Sequence, residues 1–210
     1  MAGTRVVLDT CAVIQLRKSS YNEFIDKSLF ELAGGEQNLK EQQVGDKLRG
    51  WLERAMEKPG WTVCITKAAI MESEGEFKQM IDRVAGHVHG RPATVKFMLD
   101  NRRHTNSLYK RSSDCSRVLK GRIIDIKGAV RSAYRKWEND TTRNCVTNYG
   151  VRNKAYFPEK QDIRRLAESV ANKNGSSRRV IFLSSDGHFL CHVSTIDKEF
   201  GVEVMDFRNL

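Results

Sequence analysis

Three short apolar runs that each lead to an acid constrain this chain more than any other feature. Arg5-Val6-Val7-Leu8 runs into Asp9 and Thr10, and Trp61-Thr62-Val63-Cys64-Ile65 runs into Thr66, with Glu72 six positions beyond. The third, Arg179-Val180-Ile181-Phe182-Leu183, ends in Ser184, Ser185 and Asp186. Unbroken aliphatic and β-branched runs of this length read as strands covered on both faces, the habit of parallel sheets. Such sheets bind ligands beyond the carboxyl ends of their strands, so Asp9 is expected at the mouth of a crevice.

Helical periodicity fills the intervals. Tyr21, Phe24, Ile25, Leu29 and Leu32 keep helical spacing up to Gly34-Gly35. Leu48, Trp51, Leu52, Ala55 and Met56 predict a helix over 44–56 that stops at Lys58-Pro59-Gly60. Thr66 is placed to cap a helix carrying Ile70, Phe77, Ile81 and Val84, with Glu72 on its first turns. Glu76 shares the Glu72 face at i+4 and is its rival, while Glu74 points away. Pro158 opens a helix with Ile163, Leu166, Ala167, Val170 and Ala171 on one side, Asp162 near its start and Asn174-Gly175 as its stop. A short helix over 196–200 precedes a last strand over 202–207. Strands alternating with helices predict an α/β fold, a central parallel sheet flanked by helices, in one domain over 1–210.

Residues 92–150 interrupt this alternation with no strand signal and read as a basic insertion of two helices. The second carries Leu119, Ile123, Ile126, Val130, Ala133 and Trp137 at alternating spacings of four and three, either a packing seam or a contact in a homo-oligomer. Its polar positions are basic. Residues 92–160 hold 16 Lys and Arg against 6 Asp and Glu, a surplus of ten that equals the net charge of the whole chain. So localised an excess is either a solvated helical face or the footprint of a phosphate-backbone partner, with Arg117, Lys120, Arg131, Arg135 and Lys136 as the residues that would contact such a nucleic acid.

Other classes are excluded by what the chain lacks. The five cysteines are odd in number and form no Cys-x-x-Cys pair, which gives neither a disulfide framework nor a zinc site. His87 with His89, and His188 with His192, lack a third ligand at zinc-like spacing. Neither a phosphate-cradling glycine loop nor a membrane-length apolar run occurs, and the chain reads as cytoplasmic, with no membrane partner. A phosphatase with a nucleophilic Asp9 would want a second acid two positions on, where Cys11 stands.

Asp9, Glu72, Asp162 and Asp186 therefore come from separate elements to one rim. Packed carboxylates repel one another and raise each other's pKa unless a cation neutralises them. An oxygen ligand set of this kind suits Mg²⁺ or Mn²⁺, the ions that assist phosphodiester hydrolysis.

Val6-Val7-Leu8-Asp9-Thr10, the Ile65-Thr66 strand end leading to Glu72, Asp162-Ile163, and Ser184-Ser185-Asp186 with Phe189 resemble the four acidic motifs of PIN-domain nucleases. The resemblance spans residues 5–207. It implies a PIN-like parallel sheet, metal dependence, RNA as substrate, and Asp9, Glu72, Asp162 and Asp186 as catalytic metal ligands. Thr10 and Ser184 match hydroxyl positions that support the site, and Glu159 would be an outer ligand. The 90 residues from Glu72 to Asp162 exceed the interval of the small toxin members, which act with a protein inhibitor. A long basic insertion there is closer to the minimal protein-only RNase P enzymes, which trim the 5′ leader of precursor tRNA. A toxin-type ribonuclease and an inactive RNA-binding scaffold are the alternatives.

Overall fold

The computed structural model describes residues 3–18, 36–87, 123–140, 145–147, 150–152, 158–173 and 178–210. The helix expected over 21–32, the first insertion helix, and Arg117 and Lys120 lie outside these residues. In chain order the elements are β1 (Thr4–Leu8), α1 (Thr10–Lys18), α2 (Glu36–Glu57), β2 (Trp61–Ile65), α3 (Lys67–His87) and α4 (Ile123–Asp140). Then follow β3 (Cys145–Thr147), β4 (Gly150–Arg152), α5 (Lys160–Ala171), β5 (Arg179–Ser184), α6 (Gly187–Leu190), α7 (Val193–Phe200), β6 (Val202–Asp206) and a 3-10 turn over Phe207–Asn209.

The apolar runs form one all-parallel sheet in the order β2-β1-β5-β6, with Val6 in register with both Val63 and Ile181. The fold is thus α/β, as expected, and consistent with a PIN-like architecture. Gly60, at φ 75°, lets the chain turn sharply into β2, and its carbonyl accepts the Thr4 N–H at 2.9 Å. From β1 the chain goes to β2 on one side and later returns to β5 on the other. Strand order therefore reverses between β1 and β5, which opens a crevice at their carboxyl ends.

Strict alternation divides the core between the sheet's two faces. Val6, Leu8, Val63, Ile65, Ile181 and Leu183 pack with Ala12, Val13 and Leu16 of α1 and with Leu48 and Leu52 of α2. Val7, Cys64, Val180, Phe182, Val202 and Val204 pack with Val130, Ala133, Tyr134 and Trp137 of α4 and with Ile163, Leu166 and Ala167 of α5. A shift of one residue in any strand would exchange these faces, so both hydrophobic layers fix the register.

The seam of α4 is consequently intramolecular. Of the two roles expected for it, packing is the one that uses Val130, Ala133 and Trp137, and Trp137 Nε1 also donates to Glu199 of α7 at 3.0 Å. The basic insertion thus supplies a helix to the central core rather than a detachable appendage.

Several boundaries differ from the sequence reading. The region expected to hold no strand contains the antiparallel pair β3–β4, whose three-residue strands are too short for alternation to register. Helix α2 begins at Glu36, well before its apolar stripe, because Glu36 to Gln43 is mostly polar and carries no period. Helix α5 stops at Ala171, before Asn174-Gly175, where the Asn172 amide donates to the Glu168 carbonyl at 2.8 Å. Cys11 and Cys64 are free, whereas Cys191 is disulfide-bonded, a cross-link that the odd count of cysteines did not predict. Among the described residues no helix is long and apolar enough to cross a membrane.

Candidate active site

Asp9 follows β1 directly, and its N–H extends the β1–β5 ladder by donating to the Leu183 carbonyl at 3.0 Å. This carries its carboxylate into the buried crevice floor. Oδ1 accepts the Thr10 N–H at 2.8 Å, while Oδ2 accepts the Ser184 hydroxyl at 2.7 Å and the Cys11 thiol at 3.1 Å. Burial pushes the Asp9 carboxyl up from 3.8 to about 6, against the pull of these donors and with a further push from the Asp186 charge. Ser184 accepts the Asp186 N–H at 3.0 Å and so ties the two acids together. The support expected of Ser184 is thereby a direct contact with Asp9.

Asp186 caps the short helix α6, its Oδ1 accepting the His188 N–H at 2.8 Å. Asp162, on the first turn of α5, accepts the N–H of exposed Glu159 at 2.9 Å through Oδ2. The imidazole of His188 stands between the two acids, with Nδ1 3.2 Å from Asp162 Oδ2 and 3.1 Å from Asp186 Oδ1. Burial alone would lower the His188 pKa, but the paired carboxylates outweigh it and push the ring up to about 10. Burial likewise works to raise Asp186, and the His188 bonds overcome it and hold the carboxyl below its ordinary range. Tyr134 of α4 donates its hydroxyl to the His188 carbonyl at 2.9 Å. Burial, then the charges of Asp162, Asp186 and Asp9, keep that phenol protonated. An insertion helix thus braces the loop that carries Asp186 and His188.

Glu72 occupies another part of the rim. Thr66 caps α3 as expected, its hydroxyl accepting the Ala69 N–H at 3.1 Å, and this places Glu72 on the second turn. Its Oε2 accepts the Thr10 hydroxyl at 2.7 Å and the Arg165 Nη2 at 2.6 Å. Arg165, only 5% exposed, also reaches Thr10 Oγ1 at 3.1 Å, Thr66 Oγ1 at 3.3 Å and buried Glu168 at 3.2 Å. One guanidinium on α5 therefore fastens α1, the end of β2 and α3. Glu76, the rival of Glu72, is exposed.

The acids form one chain of contacts from Asp162 through His188, Asp186, Ser184, Asp9 and Thr10 to Glu72. They do not form one ligand cage. Among the described residues, the group of three whose ligand atoms lie within 4.8 Å of one another is Asp162, Asp186 and His188. Asp9 adjoins it through Ser184, and Glu72 is committed to Arg165. Asp162 and Asp186 converge from separate elements and offer the oxygen donors a divalent cation needs, and the ion would displace the proton that they hold on His188, since an imidazole ligates only when neutral. The donor set adds an imidazole, a ligand favoured by softer first-row ions, to two carboxylates that suit Mg²⁺ and Mn²⁺ alike. His188 and Arg165 went unassigned in the sequence. The Asp186-x-His188 spacing on a tight turn was a signal for the first, and for the second nothing local was. Arg131, Arg135 and Lys136 are exposed along α4. No protein-family model, curated protein or solved structure matches the chain.

Proposed function

We propose that this chain is a cytoplasmic, divalent-metal-dependent endoribonuclease of PIN-like architecture, acting on RNA such as the 5′ leader of precursor tRNA. The observation that carries the reading is the linkage of Asp9, Asp162 and Asp186 at the switch point between β1 and β5, beside a helix with a basic outer surface. Asp162, Asp186 and His188, with Asp9 adjoining, would hold Mg²⁺ or Mn²⁺. Such an ion supplies charge neutralisation at the scissile phosphate and acidifies the attacking water. Ser184 and the Thr10 N–H orient Asp9. Arg165 and Thr10 hold Glu72 toward the crevice, as an outer acid that orients what the others bind.

The test is incubation of the pure protein with a mixed small-RNA pool in Mg²⁺, Mn²⁺ or chelator, followed by mapping of the new ends. Metal-dependent cuts at discrete tRNA 5′ ends are expected. Cuts in anticodon loops or messenger RNA would select the toxin alternative, and an intact pool would select the scaffold. In the same assay Glu72→Gln should slow cleavage by roughly 10- to 100-fold, the usual cost of a supporting residue, and Glu76→Gln should change it little. Equal losses would remove Glu72 from the site.

A further inference from the structure

Cationic side chains of α4 and α5 meet along the outer edge of their packing seam. Lys127 and Arg131 stand one turn apart on α4, as Lys160 and Arg164 do on α5, and the two helices pack together, with Val130 and Ile163, each next in sequence to one of these cations, in one buried cluster. Arg131, Lys160 and Arg164 are exposed, and Lys127 is half-buried. The carboxylate that faces them, Glu168, is already shared between Arg164 Nε at 2.9 Å and Arg165 Nη1 at 3.2 Å. Burial, then Arg164, lower the Lys127 ammonium against the pull of Glu168, with Lys160 and Arg131 adding to the repulsion.

Like charges one turn apart weaken a helix, and this edge doubles the effect by bringing two such pairs together. The arrangement becomes favourable when an anion with repeating charge lies across it. We infer that this four-cation edge binds the phosphate backbone of a nucleic acid, which is RNA on the reading proposed above. Lys160 and Arg164 stand two positions on either side of Asp162 and so face away from it around α5, which sets this edge a helix width from the acidic rim. Rows of cations spaced by one helical turn, about 5.4 Å, offer the linear array that a polyanion needs rather than a pocket for a single anion. An anionic membrane is the poorer match. Among the described residues of α4, Ile124 is the one exposed large apolar side chain, too little to enter a bilayer.

The test is fluorescence anisotropy of a labelled single-stranded oligoribonucleotide at several salt concentrations, in chelator so that cleavage plays no part. Wild type is compared with Lys127→Gln/Arg131→Gln/Lys160→Gln, which leaves Arg164 on Glu168. A second comparison is Lys47→Gln, an exposed cation of α2 on the other side of the sheet. The triple variant is expected to bind more weakly, with a slope of log K against log salt lower by about 2, at roughly 0.7 per phosphate contact. Lys47→Gln should change the slope by less than one contact. An unchanged slope in a triple variant whose circular dichroism matches wild type overturns the inference, as does an equal drop from Lys47→Gln alone. If the triple variant misfolds, Arg131→Gln is measured instead, with an expected drop of about 0.7, and an unchanged slope there overturns the inference equally. Patch-dependent binding to phosphatidylserine vesicles that exceeds binding to RNA would assign the edge to a membrane and overturn the inference too. A wild-type protein that gives the expected slope here, yet leaves RNA intact with metal present, would remove the nuclease reading and leave this surface standing.

Discussion

Asp9→Asn is expected to abolish RNA cleavage and, in chelator at neutral pH, to make the protein more stable than wild type. The first effect follows from removing a carboxylate at the centre of the rim, and it should exceed the roughly 100-fold upper range seen when only a supporting residue is lost. The second follows from burial. A carboxyl that moves from 3.8 in the unfolded chain to about 6 in the fold costs stability once it must ionise there, about 3 kcal/mol at most. Because the folded value is the higher one, the stability is present below pH 3.8 and lost as pH rises through about 6. The Asn amide can keep the bonding pattern, with its oxygen on the Thr10 N–H and its nitrogen toward Ser184 and Cys11, both able to accept. Urea unfolding from acid to neutral pH should therefore give stabilities that coincide below about pH 3.8, separate as pH rises to about 6, and stay apart above it. Cleavage at near wild-type rate, or a variant less stable than wild type at neutral pH, would show that Asp9 is a structural acid.

Arg165→Met is expected to cost about 3 kcal/mol, the lower end of the range for removing one partner of a buried ion pair. The lower end applies because Arg164 still reaches Glu168, and Glu72 keeps about a third of its side chain in water. Cleavage should also fall, since Glu72 and Thr10 lose the donor that fixes them. Arg165→Lys keeps the charge but not the planar fork that spans four partners, and should restore only part of either property. Urea midpoints for the three proteins decide the matter. A loss under about 1 kcal/mol in the Met variant would reduce the buried network to an ordinary surface pair.

Those two residues mark the limits of what could be read from the chain. Asp9 was legible because Val6-Val7-Leu8 is a fully buried strand, and a buried strand in an α/β sheet delivers whatever follows it to the crevice. The same logic located Ser184 and Asp186. It also placed Glu72, since Thr66 is an efficient cap and fixes where α3 starts. Arg165 was not legible. Beside Arg164, in a segment rich in cations, it looks solvated, and only packing brings it to Thr66, Glu72 and Thr10, between 93 and 155 residues away in sequence. His188 was hidden similarly, because its second partner, Asp162, sits on another helix. The α4 seam could be recognised by its period, but a period names no partner, and α5 became that partner through the sheet that joins them. β3 and β4 fell below the length at which alternation can be detected.

Binding of Mn²⁺ to metal-stripped protein, followed by electron paramagnetic resonance, tests most directly whether the linked acids hold the ion on which cleavage depends. Wild type should take up Mn²⁺ at neutral pH, and Asp162→Asn/Asp186→Asn should lose that binding while keeping its fold. Glu76→Gln should bind as wild type does. Mn²⁺ uptake unchanged in the double variant, or absent from wild type at concentrations that support RNA cleavage, would contradict the metal site.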